Sequence, residues 1–224
     1  MPPEYPMREI DPSLYLVINP EQCRHQSPVD IAKNAVAGGV STVQIRTKLM
    51  CDQSYTELAA QVDQALRPLH VPVFVNDRLE VAAAAGINCI HLGQDDVSVH
   101  EAREALGPDA QIGLTVRSME EAENAPTQEL SYLSVGGVFA TRSKANPDPP
   151  IGLTKLKDIV RYLKSRADCP IIAISGINQT NLESVLSTEV DGVAVVSAIC
   201  ESDSPETVAR ELRNTIHSYQ TTGV

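Results

Sequence analysis

The feature that most constrains this chain is an alternation of short apolar runs with longer segments of helical composition, repeated eight times. The apolar runs are rich in Val, Ile and Leu, as Pro170–Ile174 illustrates. Strands that alternate with helices in this way predict a parallel sheet, because each crossover helix returns the chain to the same edge. A parallel strand covered on both faces is nearly continuously apolar, which is the pattern seen.

The boundaries of these segments can be read directly from the sequence. The predicted strands are Leu14–Ile18, Val40–Ile45, Val71–Val75, Asn88–Leu92, Gln111–Leu114, Ser131–Val135, Pro170–Ile174 and Asp191–Val196. The clearest predicted helices are Val29–Ala37, Ser54–Leu66, Leu79–Ala85, Val99–Leu106, Thr154–Ser165 and Pro205–Ser218. Gly38, Gly86 and Gly107 stand where helices should end, since glycine is a common helix stop.

Eight such units use almost all of the 224 residues, which predicts a single (β/α)8 TIM barrel. We expect one domain over residues 1–224, with tails at 1–10 and 220–224. An open, doubly wound sheet is the alternative architecture. No break in composition is large enough to indicate a second domain.

Composition narrows the function classes. With 18 Lys and Arg against 29 Asp and Glu, the net charge is −11, which disfavours a general binder of nucleic acid or of anionic membranes. No run of about 18 apolar residues predicts a membrane span. The first residues lack an apolar signal region, and the five cysteines form no CxxC pair. We therefore expect a cytoplasmic protein with reduced thiols.

In a barrel of this type the chemistry lies where strands give way to loops at their carboxyl ends. On the second strand, alternation places Val43 and Ile45 under the helices and points Gln44 and Arg46 into the mouth of the barrel. A charged group there needs a partner. Arg46 could pair with a carboxylate of a neighbouring strand, or its guanidinium could hold a phosphate, whose oxygens it matches.

Acidic residues follow the third and fourth strands. Asp77 could begin a helix, with Glu80 at the spacing of a capping box, or could face the barrel mouth as a carboxylate. Ser98 offers a better cap for the next helix, which leaves Asp95 and Asp96 without an obvious structural role. Together these carboxylates form an oxygen-ligand set suited to Mg²⁺, and a solvated acidic turn is the alternative.

The later strand ends carry weaker signals. Thr115 is a lone hydroxyl after the fifth strand. After the sixth strand, Thr141, Ser143 and Lys144 follow two glycines in a long connection to Pro150, a composition that suits an anion. Such a loop could be a lid or a merely mobile surface loop.

The last two strands end where many barrels bind phosphate on backbone N–H groups. Gly176 permits close backbone approach, and Ser197 can begin a helix while offering N–H groups. His91 alone is uninformative, because a buried histidine with satisfied hydrogen bonds is commoner than a ligand.

Several motifs, each at a predicted strand end, carry a resemblance. They are Val-Gln-Ile-Arg-Thr-Lys (43–48), Val-Asn-Asp (75–77), His-Leu-Gly-Gln-Asp-Asp (91–96), Gly-Gly-Val-Phe-Ala-Thr-Arg-Ser-Lys (136–144), Ile-Ser-Gly-Ile (174–177) and Asp-Gly-Val-Ala-Val-Val-Ser-Ala-Ile (191–199). From about Leu14 to Tyr219 the chain resembles the thiamine phosphate synthase family, also called thiamine-phosphate pyrophosphorylase.

The resemblance implies a transferase that joins an aminopyrimidine diphosphate to a thiazole phosphate, with Mg²⁺ as cofactor. It implies that Asp77 and Asp96 hold the metal. On the pyrimidine diphosphate it assigns contacts to Gln44, Arg46, Lys48, Asn76 and Lys144. It places Thr115 near the reacting centre. On the thiazole phosphate it assigns contacts to Thr141, Ser143, Gly176, Val196 and Ser197. Of these, Arg46, Lys48, Thr115 and Lys144 would be catalytic.

The chain departs from the family pattern at five positions. Thr115 stands where the family usually has Ser, and Ser143 stands where it usually has Thr, so both positions keep a hydroxyl. Ser175 replaces a usual Gly, Thr47 replaces a usual acidic residue, and Ala140 replaces a usual Pro. None of these changes removes a charge from the implied diphosphate site.

Three rival functions remain open. A thiazole tautomerase relative shares the barrel but uses a His in the strand-six loop, where this chain has Gly136-Gly137-Val138. A phosphosugar isomerase or aldolase would need a Glu base or a buried Lys at a strand end, which is not evident. A non-catalytic thiamine-precursor binding protein is the third. The sequence does not fix the oligomeric state, and a homo-oligomer is compatible with it.

Overall fold

A computed structural model describes residues 10–143 and 149–222, and within them eight parallel strands pair in chain order and close into a barrel. The strands are β1 (Leu14–Ile18), β2 (Thr42–Ile45), β3 (Val73–Asn76), β4 (Cys89–Leu92), β5 (Gln111–Val116), β6 (Tyr132–Val135), β7 (Ile171–Ile174) and β8 (Gly192–Val195). Strand β1 pairs with both β2 and β8. The predicted (β/α)8 barrel is confirmed, and the open sheet is excluded because each of the eight described strands pairs with two neighbours.

Within the same described ranges, helices follow the strands on the outside of the barrel. They are α1 (Pro28–Ala37), α2 (Asp52–Leu66), α3 (Leu79–Ala84), α4 (Val99–Leu106), α5 (Met119–Asn124), α6 (Gly152–Lys164), α7 (Leu182–Leu186), α8 (Ser197–Cys200) and α9 (Pro205–Thr222). The observed bounds differ from the predicted ones by a few residues at most for the six helices named from the sequence. The short helices α5, α7 and α8 carry too few turns to give a clear periodic pattern.

Helices α4 and α5 begin after serines that can cap their first turns, as the sequence predicts. Before α4, the Ser98 hydroxyl accepts the Glu101 N–H at 3.2 Å, and the Glu101 carboxylate accepts the Ser98 N–H at 2.8 Å, which confirms the predicted capping box. Before α5, the Ser118 hydroxyl accepts the N–H of Glu121 at 3.1 Å. These caps fix where each strand-end loop gives way to its helix.

The barrel interior holds three of the few aromatic side chains. Tyr15, Phe74 and Tyr132 are fully buried, and their ring centroids lie 5.4 to 6.0 Å apart. The space between the barrel and its helices is filled by aliphatic side chains such as Leu66 and Leu163. The interior is therefore a packed floor, and open space begins only above it.

The last helix runs further than the sequence predicts. Helix α9 extends through Thr222, so residues 220–222, expected to be part of a tail, continue the helix. The hydroxyl of Thr222 donates to the Ser218 carbonyl at 2.8 Å and that of Thr221 to the His217 carbonyl at 2.9 Å. Among the helices described, none has the length and apolar character that a membrane span requires.

Candidate active site

The carboxyl ends of the strands surround an open cavity of about 740 Å³. Twelve of the predicted site residues line it: Gln44, Arg46, Lys48, Asn76, Asp77, Asp96, Thr115, Thr141, Ser143, Gly176, Val196 and Ser197. Lys144 lies outside the described residues. The fold therefore gathers side chains from strand ends far apart in the chain at one place, while the role of each residue stays a prediction.

The end of β2 supplies a buried amide and a guanidinium. Gln44 lies inside the barrel, where its Nε2 donates to the hydroxyl of Tyr15 at 3.0 Å. Arg46, half-buried, lines the cavity. Among the ion pairs of the described residues, none joins Arg46 to a carboxylate within 4.0 Å. The salt-bridge interpretation is thus not supported, and the guanidinium is available to an anionic ligand.

The next residues form a turn that presents Lys48. Thr47 is buried, its hydroxyl donates to Glu21, and its oxygen accepts the N–H groups of Leu49 and Met50, each at 3.3 Å. Thr47 therefore has a structural role in holding the loop. Lys48 is exposed at the cavity, and its ammonium group donates to a carboxylate oxygen of Asp77.

The backbone of Asp77 is in the left-handed region, with φ of +64°. The N-cap of α3 is Arg78, and no side chain caps that helix, so the capping-box interpretation of Asp77 is wrong. The N–H of Asp77 donates to the carbonyl of His91 at 2.9 Å, which ties β3 to β4. A non-glycine residue in this conformation is uncommon and is often found at functional sites. Here it accompanies a carboxylate that faces Lys48.

Asp77 and Asp96 lie close enough for each carboxyl group to shift the pKa of the other. Burial and the Asp77 carboxylate raise the pKa of Asp96. Burial would also raise the pKa of Asp77, but the hydrogen bond from Lys48, the proximity of Asp96 and the positive charges of Lys48 and Arg46 together lower that pKa. Asp96 also has a structural role that the sequence did not indicate, because its Oδ2 accepts the Gly93 N–H at 2.7 Å.

The two carboxylates fit Mg²⁺ as an open site. In the described part of the chain, no group of three or more His, Cys, Asp or Glu residues could enclose a metal ion. Protein-bound Mg²⁺ usually keeps several waters and is held by one or two carboxylates together with substrate phosphates. The donor set of Asp77 and Asp96 matches that pattern.

Tyr55 on α2 links the ends of β2 and β3. Its hydroxyl donates to the carbonyl of Ile45 at 2.5 Å and accepts the N–H of Asn76 at 2.9 Å. Burial raises the pKa of Tyr55, so it remains a neutral phenol. This link holds the Arg46 loop beside Asn76. We call Arg46, Lys48, Asn76, Asp77 and Asp96 the charged side of the cavity.

The opposite wall is built from backbone. Ser175 and Gly176 follow β7 with φ of +98° and +69°. A Cβ on Gly176 would lie 2.6 Å from the carbonyl oxygen of Ala140 and 2.8 Å from Phe139, so the position requires glycine. Ser175 takes a conformation that glycine favours, and its hydroxyl accepts the N–H of Gly137 at 3.1 Å. That hydrogen bond offsets part of the cost of replacing the usual Gly.

Strand β8 passes directly into the one-turn helix α8. Val196 is the N-cap, with φ of −123° and ψ of −86°, and Ser197 is the first helical residue. The N–H groups in the first turn of a helix have no partner within the helix. Both residues line the cavity. We call Ser175, Gly176, Val196 and Ser197 the backbone side.

The loop after β6 lies against the backbone side. Thr141 and Ser143 both line the cavity, and the Thr141 hydroxyl oxygen accepts the Ser143 N–H at 3.1 Å. Ala140, which replaces a usual Pro, contributes the carbonyl that faces Gly176. The two predicted hydroxyls therefore share one turn at the cavity wall.

Sequence reasoning missed several residues at this cavity. His91 was uninformative alone, yet its ring reaches Thr115 on one side and Tyr132 on the other. Arg117, just after β5, also lines the cavity. Alternation along the strands places Tyr15, His91 and Tyr132 on inward faces, and that was the one available signal. Which inward side chains meet depends on how the barrel closes.

The sequence of this chain is similar to those of known proteins of one family. The profile of a family described as thiamine monophosphate synthase matches residues 14–199. The chain is 38% identical over 205 residues to the thiamine-phosphate synthase of Leptospira biflexa, covering 90% of this chain and 96% of that protein. It is 39% identical over 203 residues to that of Syntrophomonas wolfei, covering 91% and 95%.

Two solved structures share the fold of this chain, and one of them is also similar in sequence. A thiamine phosphate pyrophosphorylase from Pyrococcus furiosus superposes with a TM-score of 0.81 and 32% identity, covering 94% of this chain and 98% of that one. A structure described as native KDPGal superposes with a TM-score of 0.70 at 13% identity, which shows the shared fold alone. By sequence profile, by curated relatives and by structure, the chain belongs to the thiamine monophosphate synthase family.

Proposed function

We propose that this protein is a thiamine-phosphate synthase that joins 4-amino-2-methyl-5-hydroxymethylpyrimidine diphosphate to hydroxyethylthiazole phosphate, giving thiamine phosphate and diphosphate. One observation carries the proposal. A single cavity has a charged side, suited to a diphosphate with Mg²⁺, opposite a backbone side, suited to a phosphate. Two anionic substrates can therefore enter together, each with its own countercharge or donors.

The charged side would bind and activate the diphosphate. Arg46 has no carboxylate partner among the described ion pairs, and Lys48 would exchange its hydrogen bond to Asp77 for phosphate oxygens. Asp77 and Asp96 would hold Mg²⁺, which neutralises the charge that develops on the leaving diphosphate. Lys144, in the loop after β6, would add a further positive charge.

Departure of the diphosphate breaks the bond to the pyrimidine methylene and leaves a cation there, which the ring amino group stabilises by electron donation. The thiazole nitrogen then supplies the electron pair for the new bond. This substitution needs no covalent nucleophile from the protein. The work of the residues is charge placement, orientation and the exclusion of water.

The backbone side would hold the thiazole phosphate. Gly176, Val196 and Ser197 would contact the phosphate group through the main chain, where first-turn N–H groups lack a partner within the helix. Thr141 and Ser143 would contact the thiazole from the neighbouring loop. Thr115 would lie near the reacting centre at the floor of the cavity.

The rival functions fit the chain less well. The segment Gly136-Gly137-Val138 has no histidine where a tautomerase relative would use one. The Asp77 and Asp96 pair points to Mg²⁺ and diphosphate, which tautomerisation does not need. A non-catalytic binding protein would retain affinity for the precursors without turnover, and that is an outcome of the experiment below.

The deciding experiment is product formation by the purified protein. With both substrates and Mg²⁺, mass spectrometry should detect thiamine phosphate, and chelation of the metal should stop its formation. A known synthase in the same buffer is the positive control. Absence of product under conditions where the control works would overturn the proposal, and precursor binding without product would identify a binding protein.

Small molecules are the expected partners, and neither nucleic acid nor membrane is needed for this reaction. All five cysteines are free thiols, which fits a reducing, cytoplasmic location. The proposal is compatible with a homo-oligomer, and analytical ultracentrifugation of the purified protein would establish the oligomeric state.

A further inference from the structure

Two of the free thiols come close together where the loop after β1 meets α8. Cys23 directly follows a 3₁₀ turn, Pro20–Gln22, and Cys200 is the last residue of α8. The Cys23 Sγ donates to the carbonyl of Asn19 at 3.3 Å, and the Cys200 Sγ donates to the carbonyl of Val17 at 3.6 Å. Both sulfurs therefore contact one short stretch of backbone at the end of β1. We call Cys23 and Cys200 the cysteine pair.

The segments that carry the cysteine pair run alongside each other beyond it. The Arg24 guanidinium lies 3.2 Å from a carboxylate oxygen of Glu201, and His25 Nε2 lies 3.5 Å from one of Asp203. Gln26 Nε2 donates to the carbonyl of Asp203 at 3.3 Å. The residues after the two cysteines thus contact one another in order, and these contacts hold the two cysteines side by side.

The two thiols differ in accessibility and in acidity. Cys23 is half-buried, whereas Cys200 is buried in the core. The Cys200 thiol lowers the pKa of Cys23, while Cys23 and burial raise the pKa of Cys200. Because a thiolate and not a thiol attacks a disulfide, Cys23 is the group that attacks first and Cys200 is the group that follows.

We propose that Cys23 and Cys200 are a redox modification site, whose reversible disulfide weakens binding of the thiazole phosphate when the protein meets an oxidised low-molecular-weight disulfide. The effect on this substrate rests on the proposed function, whereas the disulfide itself does not. Disulfides of cytosolic proteins are usually transient and catalytic or redox-sensing, so free thiols in the resting protein agree with this role.

The step balances as a thiol–disulfide exchange. The Cys23 thiolate attacks one sulfur of the small disulfide, which forms a mixed disulfide and releases one small thiolate that takes up a proton. Cys200 then loses its proton to water and attacks the Cys23 sulfur, and the second small thiolate leaves and is protonated. Two protein thiols are oxidised, and one small disulfide is reduced to two thiols.

A bond between the cysteines acts on the cavity through α8. An S–S bond is about 2.05 Å long, well below the contact distance of separate thiols, so forming it moves one segment toward the other. The N–H of Cys200 donates to the carbonyl of Val196 at 2.9 Å, and α8 spans only Ser197–Cys200. Val196 and Ser197 line the cavity on the backbone side. A displacement of Cys200 therefore reaches the proposed thiazole phosphate site within a single helical turn.

The first experiment detects the crosslink. The reduced protein is treated with oxidised glutathione, the remaining thiols are alkylated, and a digest with trypsin and a glutamate-specific protease is analysed by mass spectrometry without reduction. Glu183 and Glu189 lie between Cys169 and Cys200, so this digest separates these two cysteines. We expect a peptide with Cys23 joined to a peptide with Cys200, and dithiothreitol should separate them.

The exposed Cys51 is the internal control for the oxidant. The concentration of oxidised glutathione is set so that Cys51 is fully converted to a mixed disulfide. If Cys23 and Cys200 remain free thiols under that condition, or if each carries glutathione without a bond between them, the proposal is overturned.

The second experiment measures what the crosslink does to catalysis. In the oxidised protein the KM for the thiazole phosphate should rise at least about tenfold, the size of one lost hydrogen bond to a charged group. The KM for the pyrimidine diphosphate should change less than about twofold, and dithiothreitol should restore the first value. Cys23→Ser and Cys200→Ala should each abolish the effect of oxidation, whereas Cys51→Ser should retain it. Melting temperatures show whether each variant is folded.

Three results would contradict the proposed regulation. They are a crosslink that leaves the thiazole phosphate KM unchanged, an equal rise in the KM of both substrates, and the same response to oxidation in the Cys23→Ser variant. If the reduced protein forms no product, mass spectrometry still detects the crosslink. The proposed function can therefore fail while the cysteine pair stands.

Discussion

The two walls of the cavity are built in different ways. The charged side uses side chains, with the Asp77 carboxylate paired to Lys48 and close to Asp96. The backbone side uses main-chain geometry, with Ser175 and Gly176 in the left-handed region. Arg, Lys and a bound Mg²⁺ supply the full positive charges that a leaving diphosphate needs, whereas backbone N–H groups supply partial charges, which are enough to hold a phosphate that stays intact. The contrast fits a diphosphate that leaves on one side and a phosphate that stays intact on the other.

The largest effect should come from the charged side. Asp96→Asn removes one of two carboxylates, and we expect kcat to fall by about two to three orders of magnitude, because a divalent ion stabilises developing charge by several kcal/mol. The fold should survive, since an amide oxygen can still accept the Gly93 N–H. Kinetics at varied Mg²⁺ and a thermal melt measure both effects.

Asp109→Asn is the matched comparison for that variant, because it makes the same charge change at an exposed residue outside the cavity. It should leave kcat close to that of the unmodified protein. If Asp96→Asn keeps an unchanged Mg²⁺ dependence, the metal is held elsewhere and the charged side is wrongly assigned.

The next effect concerns a residue that could belong to either wall. Lys144→Ala should raise the KM for the pyrimidine diphosphate about tenfold or more, because a charged hydrogen bond to phosphate is lost. Lys155→Ala, on the exposed face of α6, is the control. A rise confined to the thiazole phosphate KM would assign Lys144 to the backbone side.

A glycine pair tests the backbone side. Gly176 and Gly86 both have φ of +69°, but an added Cβ would collide only at Gly176 and would meet nothing within 4 Å at Gly86. Gly86→Ala should cost about 1 kcal/mol of unfolding free energy from backbone strain. Gly176→Ala should cost about 1–3 kcal/mol more and raise the thiazole phosphate KM. Equal losses in denaturant melts would show that close approach at Gly176 does not matter.

The smallest effect should come from Ser197→Ala. If the backbone side binds phosphate through N–H groups, removing the hydroxyl leaves those donors in place, and the thiazole phosphate KM should rise less than about threefold. Steady-state kinetics measure this directly. A much larger rise would mean that the side chain itself holds the phosphate, and the distinction between the two walls would weaken.

The predictability of the two walls differs for a physical reason. The sequence identifies Arg46, Lys48 and Asp96 as candidate site residues, because charged residues that follow buried strands need a partner or a ligand. Gly and Ser are common residues, so Gly176 and Ser197 stand out only by their position after the last two strands. That position alone led to the prediction that they bind a phosphate. Asp77 could be identified only in part from the sequence. Its charge was evident, but its left-handed backbone was not, and so a helix cap was an equally reasonable interpretation.

The eightfold alternation of apolar runs and helical segments is enough to predict the fold and most of the strand ends. Buried parallel strands require apolar runs, crossovers require helices, and caps such as Ser98 are local. Which inward side chains meet becomes clear only once the strands are placed around the closed barrel. Tyr15 and Tyr132 are 117 residues apart, and their contact depends on barrel closure and on the missing side chain of Gly113. Such a contact has no local signal, because it is a property of packing among strands that the chain order alone does not bring together.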